Sequence, residues 1–169
     1  MKTVLIAAIT ADGFIGRTAE HLADWTGSAD KKLFVQVTKE VGTMVMGART
    51  FATIGRALPG RRTIVYTNHP EQITAEGVET TREPPAELIA RLQKEGAAGL
   101  AICGGASIYS QFVEAKVVNE LYLTIAPVLF GTGIHLFSQS LDCKLTLLAS
   151  RELDNNTILL HYKVAQSTS

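Results

Sequence analysis

The chain has 169 residues, 46% hydrophobic and 19% charged, and its sixteen basic and sixteen acidic side chains cancel. That size and balance suit one soluble domain with a sizeable core, and leave no net field to recruit nucleic acid or an anionic membrane. Two cysteines exclude a disulfide framework, and four scattered histidines without CxxC or HExxH spacing give a metal site no support.

The opening MKTVLIAAI is apolar and rich in β-branched residues, too short to span a bilayer and without a signal-peptide pattern. A buried parallel strand and a reduced, cytoplasmic protein are expected. ADGFIG and residues 17–25 read as loop. Ser28 is placed as the cap of a helix whose Leu33, Phe34, Val37 and Val41 share one face and which Gly42 ends. TMVMG predicts a second buried strand, ARTFATIG a short helix, LPGR a turn and RTIVYT a third strand. Residues 68–83 are polar, with a short edge strand expected at VET. PPAELIARLQKEG is a helix begun by Pro and stopped by Gly.

GLAIC is a further strand, and Gly104-Gly105 turns the chain into the helix ASIYSQFVEA. NELYLTIAPVL is a strand, followed by an antiparallel pair, KLTLLASREL and TILLHYKV, around a turn at 154–156. Strands alternating with helices predict a single α/β domain over 1–164. Its central sheet is mostly parallel, with antiparallel C-terminal strands and helices on both faces; a frayed tail covers 165–169.

Three strand-to-helix or strand-to-loop junctions carry residues suited to a ligand: Gly47-Ala48-Arg49-Thr50, Thr67-Asn68-His69 and Gly104-Gly105-Ala106-Ser107. Ligands of open α/β sheets sit at the carboxyl ends of strands, and helix starts offer free N–H groups to phosphate. There is no G-x-G-x-x-G and no Walker A sequence. The three junctions therefore leave a dinucleotide ligand and plain turn or packing glycines both open.

Three blocks carry a family resemblance: W-x4-D-x3-F-x3-T at Trp25, Asp30, Phe34 and Thr38; MGARTFATIGRALPGR at 46–61; and GGASIY at 104–109. With LIAAITADGFIG and LYLTIAP, the chain resembles dihydrofolate reductase along most of its length. The resemblance implies that family's fold and its reaction, the reduction of 7,8-dihydrofolate to tetrahydrofolate with NADPH in one-carbon metabolism. Asp30 matches the acid that accepts two hydrogen bonds from the pterin, a charge-assisted bidentate pair, and Thr124 the residue bonded to that acid. By the same matching, Ile6, Ala7, Phe34, Ile54, Leu58 and Tyr109 line the substrate pocket, and Arg61 grips the folate α-carboxylate. Ala8, Ile15, Gly16, Gly47, Arg49, Thr50, Thr67, Asn68, Gly104, Gly105, Ala106, Ser107, Ile108 and Tyr109 match cofactor positions. Residues 16–25 match the loop that closes over the nicotinamide. The implied partner is a small molecule, and monomer and homodimer both remain open.

Some residues depart from that pattern. TGSA stands between Trp25 and Asp30 where the family usually has a Pro, and Ala48 replaces a frequent second arginine. Residues 125–137, IAPVLFGTGIHLF, resemble the riboflavin-biosynthesis reductase branch, which acts on a ribosylaminopyrimidine phosphate, although that branch's D-D-P-x-L-T-V-R stretch is missing. A non-catalytic nucleotide-binding module is the third reading. Blander roles stand beside each assignment. Asp30 can be a surface acid at a helix start, Arg61 a solvated turn charge, Phe34, Ile6 and Leu58 plain core, and Tyr109 a core tyrosine tied to backbone.

Overall fold

The structure is a computed structural model that describes residues 1–21, 23–154 and 156–165. Ten strands and four α-helices follow in the order β1 (Lys2–Thr10), β2 (Phe14–Gly16), α1 (Ser28–Val41), β3 (Thr43–Gly47), α2 (Ala48–Ile54), β4 (Arg62–Tyr66), β5 (Val78–Thr81), α3 (Pro85–Lys94), β6 (Gly99–Ile102), α4 (Ala106–Glu114), β7 (Glu120–Ala126), β8 (Ile134–His135), β9 (Leu145–Asp154) and β10 (Thr157–Val164). Eight form one sheet in the order β5-β4-β3-β6-β1-β7-β10-β9; β2 and β8 pair separately. Pairings from β5 to β7 are parallel, while β10 pairs antiparallel with both β7 and β9 and so runs against the rest of this sheet; β2 and β8 also pair antiparallel.

Alternation along the strands divides the core into two layers. On one face Leu5, Ala7, Val45, Ile64, Leu100 and Ile102 meet Leu88 and Leu92 of α3 and Ile108, Tyr109 and Phe112 of α4. On the other, Val4, Ile6 and Ala101 meet Leu33, Val37 and Val41 of α1, and Met44, Met46 and Val65 meet Phe51 of α2. Helices thus cover both faces. Each such buried side chain stabilises by about 1.5–3 kcal/mol, against about 1 kcal/mol for a side-chain cap. Packing therefore fixes these helices, and none has a side-chain cap hydrogen bond.

The sequence expectations need correction in four places. Ser28 does not cap α1: Gly27, at φ 87°, turns the chain into the helix and leaves Ser28 as its first residue. FIG is not loop but β2, paired with β8 across more than a hundred residues of chain. Strand β7 stops at Ala126, before Pro127, which has no N–H for a ladder. Ala165 is not frayed, since its N–H donates to Lys144 O at 2.9 Å; the rest of the expected tail, and Asn155 of the expected turn, lie outside the described residues. Among those residues, no helix is long and apolar enough to cross a membrane and no His, Cys, Asp and Glu cluster could hold a metal.

Candidate active site

Because β1, β3, β4 and β6 are parallel, their carboxyl ends share one edge of the sheet. Asp30 comes to the adjoining region from the first turn of α1, half-buried. Burial raises the proton affinity of its carboxyl above the usual range, and the hydroxyls of Thr26 and Thr124 and the Lys31 charge only partly oppose this. Thr124 lies on β7 opposite Ala8, fully buried. Its Oγ1 has no hydrogen-bond partner of normal geometry among the described residues although it lies close to Asp30, and Trp25 Nε1 is also buried without one. A buried polar group left unpaired costs about 1–3 kcal/mol, so such atoms mark a place where a ligand or water completes the bonding.

Arg61 is the last residue of the LPGR turn. Its Nε donates to Pro59 O at 3.0 Å and its Nη1 to Thr38 Oγ1 at 3.1 Å, while the Thr38 hydroxyl donates to Phe34 O at 2.7 Å. No carboxylate pairs with Arg61 among the described residues, and burial lowers its pKa. Cys103 lies close enough to feel its charge; burial pushes that thiol up to about 12, so it is an inert wall. Phe34 and Cys103 both pack against the clusters of α1 and α2, and Ile54 and Leu58 against the latter. Ile6 and Ala7 are buried in β1, on opposite faces of the sheet.

Tyr109 is 4% exposed and its hydroxyl donates to Ile6 O at 2.7 Å. Burial above all, with the nearby Cys103 and Asp30, holds that hydroxyl well above its ordinary pKa. Tyr109 is thus the core tyrosine tied to backbone, and its proton is committed. Gly104 lies directly against it, where a Cβ would come within 3.2 Å of Tyr109 Oη. Gly47 N donates to Gly104 O at 2.9 Å, and a Cβ on Gly47 would meet Ile108 Cγ1 at 3.2 Å. A side chain at either position would crowd these neighbours, and Gly104 also has φ 115°.

The starts of α2 and α4 are brought together by the β3–β6 pairing, and neither start has a side-chain cap. Their first-turn N–H groups, with half-buried Thr50 and exposed Ser107, suit a phosphate-bearing ligand. Arg49 is exposed in the first turn of α2. At the end of β4, Thr67 Oγ1 accepts from His69 N–H at 2.9 Å, forming a turn, and Asn68 is exposed. Ala8 is half-buried in β1, Ala106 half-buried at the start of α4, and Ile15 and Gly16 lie in β2.

Three contributors escaped the sequence reading. Thr26, inside the aberrant TGSA, lies close enough to Asp30 to lower its proton affinity while its hydroxyl donates to Ala23 O at 3.2 Å. Cys103 reads as core but faces Arg61. Asp12 accepts hydrogen bonds from Phe130 N–H at 3.2 Å and Gly131 N–H at 2.7 Å, and Phe130 in turn receives the Arg17 guanidinium at 4.1 Å and the edge of Trp25 at 5.2 Å. An Asp before Gly was the signal for the last; its partner more than a hundred residues away was not legible.

Over residues 2–140 the chain matches the dihydrofolate reductase family. It is 40% identical over 125 residues to the type 3 dihydrofolate reductase of Salmonella typhimurium, covering 73% of this chain and 71% of that protein. The chain belongs to the dihydrofolate reductase family. It is also 27% identical over 170 residues, 95% of this chain and 97% of the other, to the uncharacterised protein YwjB of Bacillus subtilis. Among solved structures, a putative riboflavin biosynthesis protein of Shewanella superposes with a TM-score of 0.82 at 21% identity, over 98% of this chain and 99% of the other. A pyrimidine reductase-like protein of Corynebacterium diphtheriae gives 0.78 at 19%, over 98% and 92%. These two likenesses carry the fold. Membership makes the chain one of a family of reductases with small-molecule substrates.

Proposed function

We propose that the protein reduces 7,8-dihydrofolate to 5,6,7,8-tetrahydrofolate with NADPH. The observation that carries this reading is Asp30: a half-buried carboxyl of raised proton affinity, set beside a fully buried, unpartnered Thr124 hydroxyl. Two parallel carboxylate oxygens meet the paired donors of a pterin, and Thr124, close to Asp30 and without another partner, orients the group once it is engaged. Raised proton affinity suits an acid that favours protonation at pterin N5. Phe34, Ile54 and Leu58 form the apolar wall, and Arg61, with no acid of its own, meets the carboxylate of the substrate tail.

When bound, NADPH supplies the hydride for pterin C6. The residues that suit it are the uncapped helix starts at Gly47-Ala48-Arg49-Thr50 and Gly104-Gly105-Ala106-Ser107, with Arg49 as the cation for a phosphate. Ala8, Ile15, Gly16, Thr67, Asn68, Ile108 and Tyr109 complete the proposed contacts, Tyr109 by packing under Gly104 rather than by its hydroxyl. A cytoplasmic place in tetrahydrofolate biosynthesis belongs to the same proposal.

A second reading, reduction of a ribosylaminopyrimidine phosphate, is favoured by residues 125–137, the β7–β8 connection whose sequence resembles that branch. Purified protein given NADPH and each substrate in turn separates them. Loss of NADPH absorbance with dihydrofolate is expected. Turnover of the ribosyl substrate alone would reject the folate reading, and NADPH binding without turnover of either would leave only a binding module.

A further inference from the structure

Cations differ in how free they are along the carboxyl edge of the sheet. His69 stands with its Nδ1 3.3 Å from Glu71 Oε1, so a phosphate approaching it also meets a carboxylate. The position after Gly47 holds Ala48, where the family often has an arginine. Arg49 is exposed, and its side chain has no hydrogen bond or ion pair among the described residues. Arg82, directly after β5, is exposed and equally without a partner among them.

The neighbours of Arg82 fix the face it joins. Strand β5 runs parallel to β4 with Tyr66 level with Thr81, and Thr67 N–H donates to Thr81 O at 3.3 Å, so the two strands end together. Glu79 and Glu83 both meet Arg91 Nη2, at 2.9 and 2.8 Å, and the Thr81 hydroxyl donates to Glu83 at 2.7 Å. Glu79, Thr81 and Glu83 therefore share the face that carries α3. Alternation sends Val78, Thr80 and Arg82 to the opposite face, and Val78 packs there with Phe51 of α2 and Val65. Arg82 thus joins the side of the sheet that holds α2 and Arg49, one strand beyond Thr67. Neighbouring strands lie about 4.8 Å apart, so the ends of β3 and β5 are separated by about 10 Å. Two arginine side chains rising from those ends can converge on one group between them.

We propose that Arg82, together with Arg49, grips the 2′-phosphate on the adenosine of NADPH and so sets the preference over NADH. This inference rests on the NADPH reading given above. A phosphate accepts several charge-assisted bonds, and a guanidinium fork matches its geometry. The unphosphorylated ribose of NADH offers Arg82 no charge to meet. Arg82 supplies from beyond β5 the second cation that Ala48 withholds from α2.

Calorimetric titration of the full chain with NADPH and with NADH, in the absence of substrate, tests this. Arg82→Gln is expected to raise the NADPH dissociation constant about tenfold to a hundredfold and to leave that of NADH unchanged. Arg82→Lys, which keeps the charge but not the fork, is expected to fall between that variant and the parent. Arg82 is exposed and unpaired, so neither change should disturb the fold, and circular dichroism checks this. A parent that binds both nucleotides alike, or an Arg82→Gln variant that weakens both equally or neither, overturns the role of Arg82 and leaves the dinucleotide site standing. A parent that binds neither nucleotide overturns the cofactor reading itself, and this inference with it.

Discussion

Arg61 and Arg62 are neighbours in sequence and opposite in circumstance. Arg62 donates from Nε to Glu79 at 2.9 Å and from Nη1 to Glu95 at 2.6 Å, and Arg91 bonds the same two acids and Glu83. Every charge in that cluster is answered within the fold. Arg61 has only a carbonyl and a hydroxyl, and Asp30, near the hydroxyls of Thr26 and Thr124, has no ion pair among the described residues. The first arrangement does structural work; the second leaves two charged groups without an ion-pair partner, free to meet a ligand under the proposed function.

The contrast can be broken from the unpaired side first. Asp30→Asn should lower turnover of dihydrofolate about a hundredfold to ten-thousandfold at neutral pH, with residual rate rising as pH falls because the proton must then come from solvent. The same variant should melt higher than the parent at neutral pH. The folded-state pKa of Asp30 is raised, so its stability contribution is full at low pH and lost as pH rises through that value. The gain should vanish below the ordinary carboxylate range. Near-normal turnover would refute the assignment.

Arg61→Leu comes next. Loss of a charge-assisted bond of about 1.5–3 kcal/mol should raise KM for dihydrofolate roughly tenfold to a hundredfold and leave KM for NADPH unchanged. A parallel rise in both constants would place Arg61 with the cofactor instead. The smallest effect belongs to the paired cluster. Arg91→Leu should cost about 1 kcal/mol of stability, screened as exposed ion pairs are, and leave turnover unaltered. Arg91 holds the Glu83 carboxyl below its usual range, so this contribution exists at neutral pH and fades as pH falls through the lowered pKa of Glu83. Melting curves of both proteins across pH, converging in acid, check the sign.

Much of this was readable in one dimension. Alternating apolar runs fixed which strands are buried, and glycines at 42, 47, 104 and 105 marked where the chain turns at strand ends. The W-x4-D-x3-F-x3-T spacing places Asp30, Phe34 and Thr38 one turn apart on α1, because those intervals match the helical repeat. Thr38 then orients Arg61, a link legible only as a recurring Thr. The β2–β8 pairing, the Asp12 clasp on Phe130 and the Thr26 hydroxyl were hidden, since each depends on segments that meet only after the sheet forms or on a turn whose residues break the expected pattern.

By itself the sequence determined the α/β architecture and the family, because periodicity and local spacing are properties of adjacent residues. Tertiary structure alone decided which of two adjacent arginines was neutralised and how the Tyr109 hydroxyl was used. Burial and charge pairing depend on what lies across space, and a linear pattern does not contain that distance.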